Sequence, residues 1–498
     1  MSRSDNIIAR FREIASRHPY RPALIVGETH YSYQDLTDLT CAYVTVLRDK
    51  LSLDTGQILL AWLDNGPEFV ASFLAAASTG AVFFPLNINL RPPELRWFLD
   101  RLPVSGVVTR QALRAPWDSL ADHVPPERVI AADNPLIRPI PRTSSGLRLP
   151  PLSNVQTTSD QPVVYLCSSG STGVPKIIPR SHSNIITGAD ATASALGITP
   201  GMRFMSVVPF YHGNGFDNSL SLPLFSGATA LLLPHFVPSG FIASLIHHRI
   251  QVLIASPAIF ELLVRFKSDL QCLSTLMVCA SSGGPIARKT MEKVRSRCGV
   301  TIRQVYGSSE TGVMAVEPPG GGPPAIVVPT MDLRVIDQAG LPLPPNVEGE
   351  IAVRGPTLAG GYVDNPEMTA AAFSNGYFRT GDRGLLDPCG RLILLGRIRP
   401  LINLSGTKVD PLEIENVLLR LQDVVACRVC DCKGPQQERI IKAVISVGKG
   451  STLTRTEVIG HCRQFLAEFK IPRVVEFMRE LPADLSGKKP LSWASGES

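Results

Sequence analysis

Two periodicities of apolar and polar positions follow one another along most of this chain. A period near 3.6 residues indicates amphipathic helices, and short continuous apolar runs indicate buried strands. The longest stretch without charged residues, 69–90, is interrupted by Gly80 and Pro85. We therefore expect a helix over 69–78 and a strand over 81–84 there, rather than a membrane span.

From about residue 160 to residue 305 the two patterns alternate regularly, which is typical of repeated βαβ units in an α/β fold. The apolar run 163–166 predicts a buried strand. The helices predicted after it are 183–196, 241–248, 257–266 and 286–298. The strands predicted between them are 204–208, 228–233, 252–255, 275–280 and 301–305.

The pattern changes twice in the last third of the chain. Residues 317–329 are rich in proline and glycine and predict a loop, after which β-like segments follow at 331–337, 349–353 and 391–395. A second change near 397–400 precedes helices at 411–421 and 456–468 and strands at 426–431 and 440–447. We expect a large domain over 1–398 and a small C-terminal domain over 399–498.

Composition narrows the class of protein. A chain of 498 residues exceeds one ordinary core, and contents of 44% hydrophobic and 18% charged residues are typical of a globular protein. The net charge of +6 is spread without a dense Lys/Arg run, so we expect no nucleic-acid partner. The N-terminal segment predicts an amphipathic helix, with Ile7, Ile8, Phe11, Ile14 and Ala15 on one face, rather than a secretory signal.

The ten cysteines are scattered, and only Cys427, Cys430 and Cys432 cluster. No second Cys/His pair stands near them at zinc spacing. We therefore expect reduced thiols and a cytoplasmic protein.

A loop rich in glycine and hydroxyl groups follows the predicted strand 163–166. It contains Ser168, Ser169, Gly170, Ser171, Thr172, Gly173, Val174, Pro175 and Lys176. Glycines let backbone N–H groups approach an anion, while hydroxyls and a lysine add donors and charge, so the loop is suited to phosphate. The alternative is a flexible linker. The spacing of the common P-loop is absent.

Two carboxylates further along the chain, Glu310 and Asp382, also lie in or beside predicted turns that contain glycine. In the segment 304–312, a strand leads into a turn with Tyr306, Gly307, Ser309 and Glu310, and a glutamate beside phosphates can hold Mg²⁺. Asp382 follows what we expect to be a tight turn at Gly381, where it can accept hydrogen bonds from a ribose diol. The alternatives are a surface glutamate on a polar turn and a capping aspartate.

Two clusters remain near the C-terminal end. Gly396 and Arg397 precede the segments 403–406 and 411–415, and the segment 481–488 ends in Ser-Gly-Lys with Lys488. A lone lysine near a terminus is usually solvated surface.

Taken together, these clusters resemble the adenylate-forming superfamily of acyl- and aryl-CoA synthetases, luciferases and adenylation domains of non-ribosomal peptide synthetases. The motifs occur in the order of that family over nearly the whole chain, including Gly-Tyr-x-x-x-Pro-Glu at 361–367 and Pro-x-Glu-Ile-Glu at 411–415. The resemblance implies a large domain of layered βαβ sheets with a β-rich subdomain, and a small mobile α+β C-terminal domain.

The resemblance also implies a two-step reaction. A carboxylate attacks the α-phosphate of ATP to give acyl-AMP and pyrophosphate, and a thiol then displaces AMP. Residues 168–176, with Thr172 among the catalytic groups, would hold the β- and γ-phosphates. Ser309 stands where the family usually has a phosphate-binding threonine, and Glu310 would ligate Mg²⁺. Tyr306 would pack near adenine, Asp382 would hold the ribose with Arg397 nearby, and Lys488 would bridge carboxylate and α-phosphate.

The acyl side of the site rests on weaker motifs. The segment 209–215 resembles the Pro-x-Phe-His segment of the family, so His212 would border the acid and the thiol tunnel; the alternative is a histidine satisfied locally at a strand end. Gly283 and Gly284 lie in a loop that resembles the floor of the acyl pocket. Asn214 lies about where amino-acid-activating domains place an aspartate for the substrate ammonium, and its neutrality argues against an α-amino acid. The spacing of Gly-Phe-Asp-Asn-Ser-Leu before Ser226-Gly227 resembles aryl-CoA ligases, so we expect an aryl or medium-sized acyl acid.

Three departures from the family pattern concern motion more than chemistry. Ile177 and Ile178 replace the glycine that usually follows the loop lysine, Arg399 occupies the hinge position, and Asp484 replaces a common threonine. The functional alternatives are a CoA ligase, a stand-alone enzyme that loads a phosphopantetheinyl carrier protein, and a non-catalytic nucleotide-binding protein. The first two require ATP, Mg²⁺, a small carboxylic acid and a thiol acceptor.

Overall fold

The structure is a computed structural model that describes residues 6–133, 158–168, 175–233, 236–266, 273–284, 286–398, 401–404, 407–435, 438–448 and 451–478. The chain divides into two compact units. The larger unit contains Met1–Ile88, Leu99–Ser168 and Ile177–Gly396. The smaller unit contains Asn89–Phe98, Ser169–Lys176 and Arg397–Ser498. The predicted boundary at 398/399 stays a prediction.

The α-helices of the described residues are α1 (Ile7–Arg17), α2 (Tyr33–Leu51), α3 (Pro67–Thr79), α4 (Pro92–Leu99), α5 (Ala115–Asp118), α6 (His182–Leu196), α7 (Leu222–Ser226), α8 (Pro238–His247), α9 (Pro257–Arg265), α10 (Arg288–Cys298), α11 (Pro366–Ala372), α12 (Pro411–Leu418) and α13 (Arg455–Phe465). A π-helix, Gly215–Ser221, leads directly into α7.

The first strands are β1 (Pro22–Val26), β2 (Thr29–Ser32), β3 (Ile58–Trp62), β4 (Val82–Pro85), β5 (Val104–Thr109), β6 (Val129–Ala131), β7 (Pro162–Ser168), β8 (Lys176–Ser181), β9 (Arg203–Ser206), β10 (Thr229–Leu232), β11 (Val252–Ala255) and β12 (Val278–Ser281). The later strands are β13 (Ile302–Ser308), β14 (Gly312–Val316), β15 (Ile326–Val327), β16 (Asp332–Ile336), β17 (Gly349–Arg354), β18 (Phe373–Ser374), β19 (Tyr377–Leu386), β20 (Leu392–Arg397), β21 (Ile402–Leu404), β22 (Thr407–Val409), β23 (Val424–Lys433), β24 (Arg439–Val447) and β25 (Val474–Met478).

Two layered sheets dominate the larger unit and confirm the predicted α/β architecture. Within the described residues, one sheet has six strands in the order β6-β5-β3-β4-β7-β8, and the other has nine in the order β15-β14-β13-β12-β11-β9-β10-β1-β2. Strands β9, β11, β12 and β13 of the second sheet are all parallel. The carboxyl ends of parallel strands meet at one edge, where open α/β sheets bind ligands.

Local sequence signals fix the junction between the sheets and their helices. Ser181 ends β8 and at once caps α6, because its hydroxyl accepts the Asn184 N–H at 3.1 Å. Gly197 ends the same helix in the left-handed region that glycine adopts without strain. The strand and the helix are therefore joined without a loop, and Arg180, the residue before the cap, has a fixed position.

A β-rich part of the larger unit follows, as predicted. Its strands lie in the order β16-β17-β19-β18, with β20 paired to β19. Two predictions were wrong in detail. The loop predicted over 317–329 contains β15, which pairs with β14 because Ile326 and Val327 are apolar enough to extend the sheet. The strand predicted over 275–280 begins only at Val278, since the main chain of Leu276 turns back to Leu273.

The smaller unit has its own hydrophobic core between a three-stranded sheet, β23-β24-β25, and the helices α12 and α13. Cys427, Cys430 and Cys432 lie on β23 as free thiols. Burial raises the pKa of Cys430 to about 11, so this thiol is protonated at neutral pH. None of the helices in the described part of the chain combines the length and apolarity needed to span a membrane.

A buried ion triad also belongs to the smaller unit. Lys470 Nζ donates to Glu413 Oε1 at 2.6 Å and to Glu94 Oε1 at 2.9 Å. Burial opposes its charge, yet the two carboxylates raise the pKa of Lys470 overall. Removing one member of a buried ionic group leaves the others uncompensated, so the triad is sensitive to single substitutions.

Lys470→Met tests this triad. We expect the free energy of opening in the smaller unit to fall by about 3–5 kcal/mol, because Glu94 and Glu413 lose their shared cation. Amide hydrogen exchange in β24 measures the change. The control is Arg463→Met, which removes an exposed pair with Glu468 and should cost about 1 kcal/mol or less. Equal costs for the two variants would contradict the assigned role of the triad.

Candidate functional site

A tight turn between β13 and β14 carries one of the two buried carboxylates of the predicted site. The two strands pair antiparallel, and a Cβ on Gly307 would lie 2.4 Å from the Gly312 carbonyl oxygen. Gly312 itself has φ +67°, a left-handed conformation. The hairpin therefore closes tightly only with glycine at both positions, and it holds Ser309 and Glu310 at its tip.

Glu310 is only 7% exposed, and its surroundings hold it on two sides. The Tyr362 hydroxyl donates to Glu310 Oε1 at 3.1 Å. The Ala359 N–H donates to the Glu310 carbonyl at 2.8 Å. The neighbouring Thr311 carbonyl accepts the Thr357 hydroxyl at 2.7 Å. The segment 357–362 thus fixes both the main chain and the side chain of this glutamate.

Asp382 is the second enclosed carboxylate, and its setting corrects one expectation. We expected a residue after a tight turn, but Asp382 lies inside the ten-residue strand β19. Gly381 has φ +71°, and the pairing with β17 shifts register beside it, so the glycine makes a bulge rather than a turn. The bulge re-aims Asp382, whose Oδ2 accepts the Tyr306 hydroxyl at 2.7 Å.

The segment 209–215, which we expect to border the acid and refer to as the acyl segment, leaves the nine-stranded sheet after β9. Its backbone forms a parallel bridge from His212 to Cys167, the residue before the end of β7. Asn65 holds its start, because its Oδ1 accepts the Phe210 N–H at 2.8 Å. A Cβ on Gly215 would lie 1.9 Å from the Pro209 carbonyl oxygen, so the sharp return into the π-helix requires glycine.

The acyl segment touches the Glu310 turn directly. A Cβ on Gly213 would lie 2.3 Å from Ser309 Oγ and 3.0 Å from Ser309 Cβ. Gly283, in the loop after β12, packs near Asn214, since a Cβ there would lie 3.7 Å from Asn214 Nδ2. Segments that follow β9, β12 and β13 therefore converge at one sheet edge, as parallel topology requires.

His212 is electrostatically neutral in this setting. Burial lowers the pKa of its imidazole to about 4. The adjacent Asn214 is also neutral, and its Oδ1 accepts the Asn218 amide at 2.8 Å. The acyl segment itself therefore contributes neutral polar groups, His212 and Asn214, to the junction, whereas the Glu310 turn contributes a carboxylate.

The remaining predicted site residues either lie at the ends of other elements or fall outside the described residues. Ser168 ends β7, and Gly284 follows Gly283 in the loop after β12. Lys176 begins β8 and Arg397 ends β20, and both are grouped with the smaller unit. Ser169, Gly170, Ser171, Thr172, Gly173, Arg399 and Lys488 lie outside the described residues.

A further group of metal-type ligands stands on the surface, away from these segments. Ligand atoms of Glu28, His247 and His248 lie within 4.8 Å of one another. The side chains of His247 and Glu28 are 64% and 86% exposed. Arg203 places a positive charge near His248, which opposes the binding of a cation. We assign no ion to this group.

The convergence of these motifs agrees with comparisons to known proteins. A family model described as AMP-binding enzyme matches residues 11–363, and a second, the AMP-binding enzyme C-terminal domain, matches residues 413–488. The chain belongs to the AMP-binding enzyme family.

Relatives across this family cover the chain almost completely. An indoleacetate–CoA ligase from Aromatoleum aromaticum is 28% identical over 488 residues, covering 95% of this chain and 94% of the relative. Among solved structures, ATP-bound MatB from Rhodopseudomonas palustris is 25% identical with a TM-score of 0.72, covering 97% and 96%. The o-succinylbenzoate CoA synthetase of Bacillus subtilis shares the fold, at 23% identity and a TM-score of 0.83, with 96% of each chain covered.

Three functional contacts escaped the sequence analysis. Tyr362 lies inside a family motif, so its position was flagged, but its bond to Glu310 needs the fold. Arg180, which is fully buried, and Asp217, which is half-buried, come from segments 37 residues apart and form an ion pair next to Ser309. A charged residue near the end of an apolar strand, Arg180, was the available signal.

The lowered pKa of His212 predicts how the free energy of unfolding depends on pH. Its folded pKa lies below the ordinary 6.5, so the unfolded chain takes up the proton first as pH falls. Its contribution to stability is therefore complete above pH 6.5 and is lost as pH falls toward 4. Between these limits, His212→Asn should reduce the slope of unfolding free energy against pH by about 1.4 kcal/mol per unit.

Urea denaturation at a series of pH values measures this slope. His123→Asn is the matched control, because hydrogen bonds to Asp100 and Asp122 raise the pKa of His123. Its contribution has the opposite sign, since it is present at low pH and is lost as pH rises. A His212 variant with the wild-type slope would show that this imidazole is not held neutral.

Proposed function

We propose that this protein uses ATP to convert an aryl or medium-sized acyl carboxylic acid into acyl-AMP, releasing pyrophosphate, and then forms a thioester with CoA. As a member of its family, the chain is an AMP-forming acid–thiol ligase. A carboxylate is a poor electrophile. Transfer of the adenylyl group to one carboxylate oxygen, with release of pyrophosphate, makes AMP the group that leaves when the thiol attacks the carbonyl carbon. The transition state gathers negative charge, so oriented donors and cations supply most of the catalysis.

The contact between Gly213 and Ser309 carries the proposal. It joins the segment expected to border the acid to the turn expected to border the phosphates. The acid and ATP must react within bonding distance, and positioning of two reactants is a large part of such catalysis. A site in which these two segments were separated by a layer of side chains could not bring the reactants together.

Glu310 fits the role of a ligand for the Mg²⁺ that accompanies ATP. Its carboxylate is enclosed, is held at one oxygen by Tyr362 and offers the oxygen chemistry that Mg²⁺ prefers. When bound, the metal would neutralise charge on the phosphates. The chain's own contribution is a rigid turn that keeps the carboxylate oriented before the nucleotide arrives.

The remaining nucleotide contacts are assigned by family position. Asp382, oriented by Tyr306, would accept hydrogen bonds from the ribose hydroxyls. Residues 168–176 would hold the β- and γ-phosphates, with Arg397 near the ribose. Lys488 would bridge the acid carboxylate and the α-phosphate, and rotation of the C-terminal domain about Arg399 would supply or withdraw it.

Neutral groups near the acyl segment favour an uncharged acid tail. Asn214 presents an amide, and the nearest carboxylate of the π-helix, Asp217, lies beside the Arg180 guanidinium. An α-ammonium group would therefore meet no uncompensated negative charge there. For this reason we propose aryl or medium-sized acyl acids rather than α-amino acids.

CoA is the proposed acceptor because relatives that cover nearly the whole chain are named as CoA ligases. Loading of a phosphopantetheinyl carrier protein is the alternative, and location in the cytoplasm stays a prediction.

Acid-dependent ATP–pyrophosphate exchange tests the first step. We expect exchange with at least one acid in a panel of aryl, medium-chain, β-amino and α-amino acids. Glu310→Gln should lower it about 10²–10³-fold, because the turn loses its charge at the developing phosphate anion. Glu348→Gln, an exposed carboxylate paired with Arg383, is the control and should retain full activity. No exchange with any acid in the wild type would refute the proposal.

The acceptor is tested with the acid that supports exchange. Supplied with free CoA, the enzyme should release the acyl-CoA thioester. Acylation of a phosphopantetheinylated carrier with no CoA product would assign the protein to the loading alternative instead.

A further inference from the structure

A fully buried arginine stands behind the Glu310 turn. The Arg180 side chain is 0% exposed and lies at the end of β8, just before the cap of α6. Its Nη1 donates to the Ser309 carbonyl at 2.9 Å and to Asp217 Oδ2 at 3.4 Å. One guanidinium therefore touches both the π-helix that continues the acyl segment and the turn that carries Glu310.

The pair also abuts the other end of the turn. A Cβ on Gly312 would lie 3.4 Å from Arg180 Nη2 and 3.9 Å from Asp217 Oδ2. Ser309 and Gly312 flank Glu310 and Thr311, so Arg180 approaches the turn at both of its ends and Asp217 approaches it at the Gly312 end. Any displacement of the pair must displace the turn, because packed interiors leave no slack at these distances.

The ion pair of Arg180 and Asp217 contributes little to the stability of the fold, because burying its charges is unfavourable. Arg180 Nε and Nη2 are buried without hydrogen-bond partners among the described residues. Burial raises the pKa of Asp217, and the neighbouring Arg180 opposes that shift. Apolar residues of similar volume often replace buried ion pairs without loss of stability. The pair is therefore useful for the positions that it fixes in the surrounding segments, rather than for any stability that it adds to the fold.

The π-helix adds a second reason to assign a function. Asp217 sits within Gly215–Ser221, directly after His212, Gly213 and Asn214 of the acyl segment. π-helical turns are rare and are found frequently at functional sites. In this chain the widened turn places a carboxylate at the back of the acyl segment, opposite Arg180.

We propose that Arg180 and Asp217 are positioning residues that couple the acyl segment to the Glu310 turn, so that Asp217, though on the acyl side, sets the response to MgATP. The inference rests on the proposed function. A residue that served only the acid side would alter the KM for the acid alone. A coupled residue alters the KM for MgATP as well.

Asp217→Asn and Arg180→Lys test the coupling. For both variants we expect the KM for MgATP in acid-dependent exchange to rise about tenfold or more, within the usual range of coupling between sites. The increase in melting temperature that MgATP produces without acid should fall to less than half of the wild-type value. Ser221→Ala is the matched control on the same π-helix; its buried hydroxyl has no hydrogen-bond partner among the described residues. It should leave both quantities unchanged.

The double variant Arg180→Met/Asp217→Leu removes both charges, so it separates the positioning of the Glu310 turn from the cost of leaving one charge unpaired. It remains informative if the single variants fail to fold. It should melt at or above the wild-type temperature, yet keep the weakened response to MgATP. Recovery of wild-type MgATP values in the double variant would overturn the inference, as would Asp217→Asn with unchanged values. A wild type that responds to MgATP but exchanges with no acid would refute the proposed function instead.

Discussion

The site depends on a turn that other parts of the chain hold at three polar groups. Arg180 binds the Ser309 carbonyl, the Ala359 N–H binds the Glu310 carbonyl, and Tyr362 binds the Glu310 carboxylate. These partners come from a strand end and from the segment that leads into α11. A turn held in this way cannot relax around a ligand, which is the condition for electrostatic preorganisation.

The same rigidity explains why glycine recurs at the centre of the site. Gly213 allows the acyl segment to touch Ser309, and Gly307 allows the hairpin to close. A Cβ on Gly307 would require the backbone at Gly312 to move, and a Cβ on Gly213 would require Ser309 to move. Close approach of the backbones is what places the neutral acyl side, with His212, against the charged nucleotide side, with Glu310.

Much of this could be predicted from the sequence, and the failures have physical causes. The βαβ alternation and the order of motifs were visible because apolar periodicity and turn residues are local properties. The position of Asp382 was not, since a bulge at Gly381 inside a continuous strand looks in sequence like a turn. The contacts of Arg180 with Asp217 and Ser309 join segments that are distant in the chain, and no local pattern specifies which of them meet.

The central claim is that acid and nucleotide react where Gly213 meets Ser309, and one variant tests it most directly. Gly213→Ala adds a single methyl group at a residue whose backbone conformation tolerates alanine. The methyl would lie 2.3 Å from Ser309 Oγ and 3.0 Å from Ser309 Cβ, so Ser309 must move away from the acyl segment to accommodate it. The measurement is the single-turnover rate of acyl-AMP formation at saturating MgATP and acid. We predict a fall of about tenfold or more with an unchanged melting temperature. A rate within twofold of the wild type would contradict the account.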